Sequence, residues 1–183
     1  MWMGEFYIGK YISKIKTNFS LTTNYNYYDA SRLQQGILYP YSSNTLGLTF
    51  KSNTKVSDIL TFVYKANYLS NQTEIKTSAQ VNKSTLGQFG QQFITYFSPG
   101  RKMEFNFQLE QSYNELGANN SVNMLFANLG ATYKLKRVDL DLNWNNIFNK
   151  KEYSYSVFNG LDNYSYKYGI RPMSILLTAS FKY

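Results

Sequence analysis

The sequence predicts an all-β chain of antiparallel transmembrane β-barrel strands, about eight or nine of them. Three observations lead there. Apolar and polar residues alternate with period two through most of the chain. Aromatics reach 18%, with 18 Tyr and 13 Phe, in a chain whose mean hydropathy is −0.42. Short and long connections alternate, as they do in barrels with short turns on one side and longer loops on the other.

Taken in order, residues 5 to 12 read as strand, but their phase stays open. Over 18 to 27, Phe19, Leu21, Tyr25 and Tyr27 oppose Asn18, Ser20, Thr22, Asn24 and Asn26. Over 45 to 51, Leu46, Leu48 and Phe50 oppose Thr45, Gly47, Thr49 and Lys51. Leu60, Phe62, Tyr64, Ala66 and Tyr68 share one face of 60 to 68. The segment 84 to 97 has two competing phases, one through Phe89, Phe93 and Phe97 and the other through Ile94 and Tyr96. Met103, Phe105, Phe107, Leu109 and Tyr113 oppose Lys102, Glu104, Asn106, Gln108, Glu110 and Ser112. Leu125, Ala127, Leu129, Ala131 and Tyr133 oppose Asn128, Gly130, Thr132 and Lys134. The stretch 138 to 148 sets Val138, Leu140, Leu142, Trp144 and Phe148 against Asp139, Asp141, Asn143 and Asn145. The last segment places Met173, Ile175, Leu177, Ala179, Phe181 and Tyr183 on one face.

Short connections are expected near 13 to 16, 52 to 57, 98 to 101 and 136 to 137. Longer ones are expected over 29 to 43, 70 to 83, 115 to 121 and 149 to 170. The final strand then ends on the short-turn side, where the C-terminus of a barrel belongs. Tyr25, Tyr27, Tyr68, Tyr113 and Tyr133 read as aromatic girdles near strand ends. At the 136 to 137 turn, pairing Lys134 with Asp139, Tyr133 with Leu140, Thr132 with Asp141 and Ala131 with Leu142 joins like to like. The whole chain, 1 to 183, reads as one domain.

Composition narrows the chemistry. With no Cys and no His, thiolate and imidazole metal sites, disulfides and His-based triads are excluded. No cofactor is implied, and the chain does not read as an enzyme: Glu104, Glu110, Asp139 and Asp141 suit ion-pair ladders on a polar face better than catalysis. The 19 Lys and Arg against 11 Asp and Glu give a net charge of +8, but the basic residues are scattered, so nucleic acid is not an expected partner. No run approaches the roughly 18 apolar residues of a membrane helix, a requirement barrel strands do not share. The opening Met1-Trp2-Met3-Gly4-Glu5-Phe6 has no basic region or apolar core of a secretory signal. An exported protein with this opening starts upstream or has lost its signal.

The C-terminal stretch is the most distinctive. Asn145-Asn146-Ile147-Phe148-Asn149-Lys150, the pair Arg171-Pro172 and the closing Tyr183 resemble the end of TonB-dependent receptors, in the outer-membrane β-barrel family. The residues from Tyr11-Ile12-Ser13-Lys14 to Lys16-Thr17-Asn18 resemble an earlier periplasmic turn of that family. Met173 departs from its pattern, which has a basic or polar residue there. The resemblance implies a plugged barrel of about 22 strands, of which this chain is the C-terminal part, in the cell outer membrane. The plug and the contact with the TonB energy-coupling system would lie upstream. It implies import of a scarce nutrient such as a chelated metal, cobalamin, a glycan or a peptide.

Outer-membrane lipid and the barrel-assembly machinery are the other expected partners. Leu177, Ala179, Phe181 and Tyr183 resemble the terminal signal that this machinery reads. Tyr39, Tyr41, Tyr153, Tyr155, Tyr164 and Tyr166 sit in expected loops, where packing is the first reading and stacking on a ligand the second. Two other classes fit the alternation: a self-contained small barrel acting as adhesin or passive channel, and a soluble β-sandwich binding module.

Overall fold

In the computed structural model, residues 1–76, 81–117, 120–159 and 162–182 are described. The strands are β1 (Trp2–Ile12), β2 (Thr17–Gln34), β3 (Ile37–Lys55), β4 (Leu60–Lys76), β5 (Val81–Gly100), β6 (Met103–Gly117), β7 (Asn120–Lys134), β8 (Val138–Asn145), β9 (Glu152–Asn159), β10 (Asp162–Gly169) and β11 (Ser174–Phe181). Nine of them form one antiparallel sheet in the order β1-β2-β3-β4-β5-β6-β7-β8-β11. The other two, β9 and β10, form a separate hairpin inserted between β8 and β11. The sheet is not closed: β1 and β11 each have one neighbour. Because every pairing is antiparallel, these two edge strands run in the same direction.

Directly opposed residues in an antiparallel pair share a face, so the register carries each face across the sheet. One row runs Leu109–Ala127; another runs Phe105–Ala131–Leu142–Leu177. The opposite face carries Lys51–Lys65–Gln92–Glu110 and Asn106–Gly130–Asn143. Both open phases are thereby settled. In β5, Phe89, Phe93 and Phe97 join the apolar face through Tyr113, Leu109 and Phe105, while Ile94 and Tyr96 join the polar one. In β1, Trp2, Phe6 and Ile8 share the apolar face with Tyr27, Thr23 and Leu21; Glu5, Tyr7 and Tyr11 take the other.

Between Lys134 and Val138 the expected register holds at every position, from Lys134–Asp139 to Ala131–Leu142. The turn is closed by the Leu135 N–H donating to the Val138 carbonyl at 2.8 Å. The side chains at its rim are shared more widely than the pairing suggests. The Lys134 ammonium goes to Glu104 on β6, and Asp139 takes the Lys182 Nζ at 2.7 Å.

The strands are longer than the alternation alone indicates. Residues 29 to 43 form no long loop: β2 and β3 pair up to Gln34–Ile37 around a two-residue turn. Gln35 and Gly36 both take positive φ there (50° and 80°), the backbone of a tight hairpin turn. β4 likewise pairs with β5 up to Lys76–Val81, and β6 with β7 up to Gly117–Asn120. Polar cross-strand bonds hold these extensions: Thr45 donates to Asn71 at 2.7 Å and Thr73 to Ser43 at 3.3 Å. Tyr25, Tyr27, Tyr68 and Tyr113 therefore sit inside long strands and mark the end of the apolar stretch, not of the strand. The turns expected at 52 to 57 and 98 to 101 fall later, after Lys55 and after Gly100. β8 stops at Asn145, so Phe148 belongs to a turn and not to the alternation; Asn146 breaks the strand by adopting φ 52°.

Very little of the chain is buried by protein. Among the described hydrophobic residues only Leu86, Met124 and Ala127 are buried, while Leu177 and Phe181 are each 67% exposed. No second sheet covers the apolar face among the described residues.

The register makes a direct prediction. Cysteines at Thr132 and Asp141 should cross-link on oxidation, since opposed positions bring Cβ atoms to about 5 Å. Cysteines at Ala131 and Asp141 should not, because they lie on opposite faces. Non-reducing electrophoresis reads both outcomes, and cross-linking of the second pair alone would refute the register.

Candidate functional site

The β9–β10 hairpin lies against the polar face, next to β6 and β7. It has two unlike sides. Its register opposes Tyr153 to Tyr168, Tyr155 to Tyr166 and Val157 to Tyr164 on one side, and Ser154 to Lys167 and Ser156 to Ser165 on the other. Edge strands expose unpaired backbone groups, and here side chains of the sheet satisfy them. Gln88 Nε2 donates to the Ser156 carbonyl at 2.7 Å, and Asn114 Nδ2 to the Ser154 carbonyl at 3.2 Å. Ser165 Oγ donates to the Leu116 carbonyl at 2.9 Å. Ser156 and Asn114 are buried by this docking.

The tyrosines stack on one another. Tyr155 and Tyr166 lie with ring centroids 5.2 Å apart at 20°, and Tyr153 and Tyr168 5.6 Å apart at 33°. Tyr153 also meets Phe126 of β7 at 6.3 Å. Partial desolvation, and then the neighbouring Tyr155 and Tyr153, raise the Tyr168 phenol above its ordinary value. The outer side of this array is open: Tyr164, Tyr166 and Tyr168 are each close to half exposed.

Beside the hairpin the polar face carries a cleft of about 230 Å³, lined chiefly by Lys65, Asn67, Gln92, Glu110, Ser112 and Tyr153. One cation, one carboxylate, amides, a hydroxyl and a phenol give it donors and acceptors of both kinds. That set can hydrogen-bond a polar solute. Among the described residues no group of three or more acidic side chains is placed to hold a metal ion.

The hairpin's base is held by the Asn-rich turn after β8. Asn146 is buried and uses both ends of its amide: Nδ2 donates to the Lys150 carbonyl at 2.6 Å and to the Arg171 carbonyl at 3.0 Å, while Oδ1 accepts from the Lys150 N–H at 2.9 Å. Its own N–H donates to Asn128 Oδ1 on β7 at 2.8 Å. Asn149, also at positive φ (51°), accepts from the Met173 N–H at 3.2 Å. Asparagine tolerates this backbone region better than most residues. The two asparagines thus tie the end of β8, the hairpin base and the approach to β11 into one joint.

Of the residues singled out from sequence, Tyr153, Tyr155, Tyr164 and Tyr166 come together on one side of the hairpin, and all four lie on strands, not loops. Tyr39 and Tyr41 do not join them. They lie on β3 opposite Arg32 and Ala30, with Tyr41 edge-on to Tyr28 at 6.0 Å. Leu177, Ala179 and Phe181 share the apolar face of β11, opposite Leu142, Leu140 and Val138. Tyr183 lies outside the described residues. Phe126 and the docking amides Gln88 and Asn114 escaped notice. Phe126 sits on the polar face of β7 among Asn128 and Gly130, and an aromatic out of phase is the signal that marks it.

Comparison of the chain with protein-family profiles, with characterised proteins and with solved structures finds no match.

Replacing Asn146 tests the joint. Asn146→Ala removes three side-chain bonds from a buried position and should lower stability by about 1 to 3 kcal/mol. Asn146→Gly keeps the backbone conformation at no steric cost, so it isolates the amide's share. A denaturant midpoint unchanged in both variants would show that the joint contributes nothing.

Proposed function

We propose that this chain is part of the barrel wall of a TonB-dependent receptor or transporter in the cell outer membrane, which imports a scarce nutrient such as a chelated metal, cobalamin, a glycan or a peptide. The observation that carries the membrane reading is the uncovered apolar face. From Leu125 to Tyr133 every second residue is apolar, about nine residues that at roughly 3.4 Å each extend about 30 Å along the strand. Tilted, that length suits the hydrocarbon core. A water-soluble sheet buries such a face against a second layer, and large exposed apolar patches mark contact surfaces. A soluble sandwich is the weaker reading for that reason.

The receptor part of the proposal rests on the resemblance of the Asn145–Lys150, Arg171-Pro172 and Tyr183 segments to that family. The polar face, its cleft and the docked tyrosine-bearing hairpin suit a wall that lines a solute path. The open edges of β1 and β11 suit a piece of a larger barrel more than a small closed one, since direct closure would pair two parallel strands. β11 would present Leu177, Ala179 and Phe181, and the closing residue of the sequence Tyr183, to the barrel-assembly machinery, with coupling to TonB through upstream regions.

The test is solvent dependence. The purified chain should require detergent or lipid to fold and stay monodisperse in sedimentation. Leu177→Arg should cost about 2 to 4 kcal/mol in bilayers if that residue sits at mid-depth. A folded, monodisperse species in plain buffer would falsify the membrane reading.

A further inference from the structure

The rim formed by the short turns is basic. Lys14, Lys16, Arg101, Lys102, Lys136 and Arg137 are all exposed there, and none enters a salt bridge among the described residues. Lys55 and Lys182, at the same rim, are matched by Asp58 and Asp139.

At the β5–β6 turn this charge meets a groove. A depression of about 330 Å³ is lined by Pro99, Gly100, Arg101, Lys102, Met103 and Tyr133. It shares Met103 and Tyr133 with a second groove of about 260 Å³ on the apolar face, which continues past Phe105, Ala131, Leu142 and Leu177. The small side chain of Ala131, in register between Phe105 and Leu142, leaves room in that row. Cationic head and apolar floor therefore follow one another along a single channel.

We propose that this channel binds one anionic phospholipid of the leaflet facing the short turns, its phosphate at Arg101 and Lys102 and an acyl chain along Phe105, Ala131 and Leu142. The proposal rests on the membrane reading of the apolar face. Charge complementarity selects the occupant: a neutral chain would gain nothing from two unmatched cations, and a free anion would gain nothing from the apolar floor. Long basic side chains at a membrane interface keep their heads at phosphate level while their stems cover apolar surface.

Native mass spectrometry of the full chain refolded in nonionic detergent, titrated with dioleoyl phosphatidylglycerol or dioleoyl phosphatidylcholine, tests it. One phosphatidylglycerol should be retained in preference to phosphatidylcholine. Each basic residue near a lipid surface contributes about five-fold, so Arg101→Ala/Lys102→Ala should cut the preference about ten- to thirty-fold. Lys14→Ala/Lys16→Asn, which removes the same charge at a distant turn and suits the positive φ of Lys16, should leave most of it. Ala131→Phe should weaken retention of both lipids while circular dichroism keeps its strand signal. Equal retention of the two lipids, a preference that survives Arg101→Ala/Lys102→Ala, or an equal fall in the distant variant would each overturn the groove. A chain that needs detergent but shows no lipid preference sinks only this proposal; one that folds in plain buffer sinks the membrane reading with it.

Discussion

Unbroken antiparallel register is the constraint on which this structure depends. A slip of one residue between any two strands would turn every side chain of one of them to the other face. At β8 that would carry Asp139 and Asp141 among Ala131, Tyr133, Leu177 and Ala179. The sheet holds one register from β1 to β11 except at two places, Phe97/Gly100 and Glu115/Gly117. Both lie at strand ends, beyond the rows Phe105–Ala131–Leu142 and Leu109–Ala127. Irregularity is thus confined to where it cannot mix the faces, and the ion pairs Glu104–Lys134 and Asp139–Lys182 close the rim beneath them.

A single sheet with two unlike faces has two different covering problems. Its apolar face gains by leaving water, and no second layer covers it among the described residues. Its polar face can be left wet, and most of it is served by short cross-strand bonds such as Thr45–Asn71 and Thr132–Asp141. Among the described residues, protein covers it near β5, β6 and β7, through the β9–β10 hairpin. The sequence Asn145-Asn146-Ile147-Phe148-Asn149-Lys150 makes that possible. Asn146 at positive φ stops β8, and its buried amide bonds to both the outgoing and the returning segment of the excursion, at Lys150 and Arg171. The chain can leave the sheet at Asn145 and re-enter at Ser174 directly opposite.

Much of this was legible in the residues. Alternation through Met103–Leu109, Leu125–Tyr133 and Met173–Phe181 gave the strands and their faces, and complementary charges gave the β7–β8 register. Where alternation was ambiguous, as between Phe93 and Ile94, both phases offered large apolar residues, and only the neighbours Leu109 and Gln108 decide between them. The strand extensions were read as loops because Asn, Ser and Gly are turn formers. Over residues 29 to 43 and 70 to 76 those residues instead pair across strands, a property of two segments together that neither displays alone. The tyrosines of 153 to 168 were visible as a cluster, but their arrangement on one side of a hairpin depends on the register between β9 and β10, which composition does not specify. The joint at Asn146 was visible only as a motif; its partners Asn128 and Arg171 are distant in sequence.

Strand direction adds a constraint of its own. β1 and β11 run parallel at the two edges of the nine-stranded sheet, with seven strands between them. Joining them directly would create one parallel pair in an otherwise antiparallel sheet. A second copy in the same orientation would bring its β1 against β11 and meet the same difficulty. A copy in the opposite orientation would restore antiparallel pairing, but it would send its short turns to the opposite end of the sheet. An antiparallel completion therefore interposes an odd number of further strands between β11 and β1. Those strands must also continue the apolar rows that end at Leu177 on one edge and at Phe6 and Ile8 on the other, with polar residues behind them. Segments that meet both demands are strands of the same two-faced kind, so the edges constrain any such completion more closely than unpaired backbone alone would.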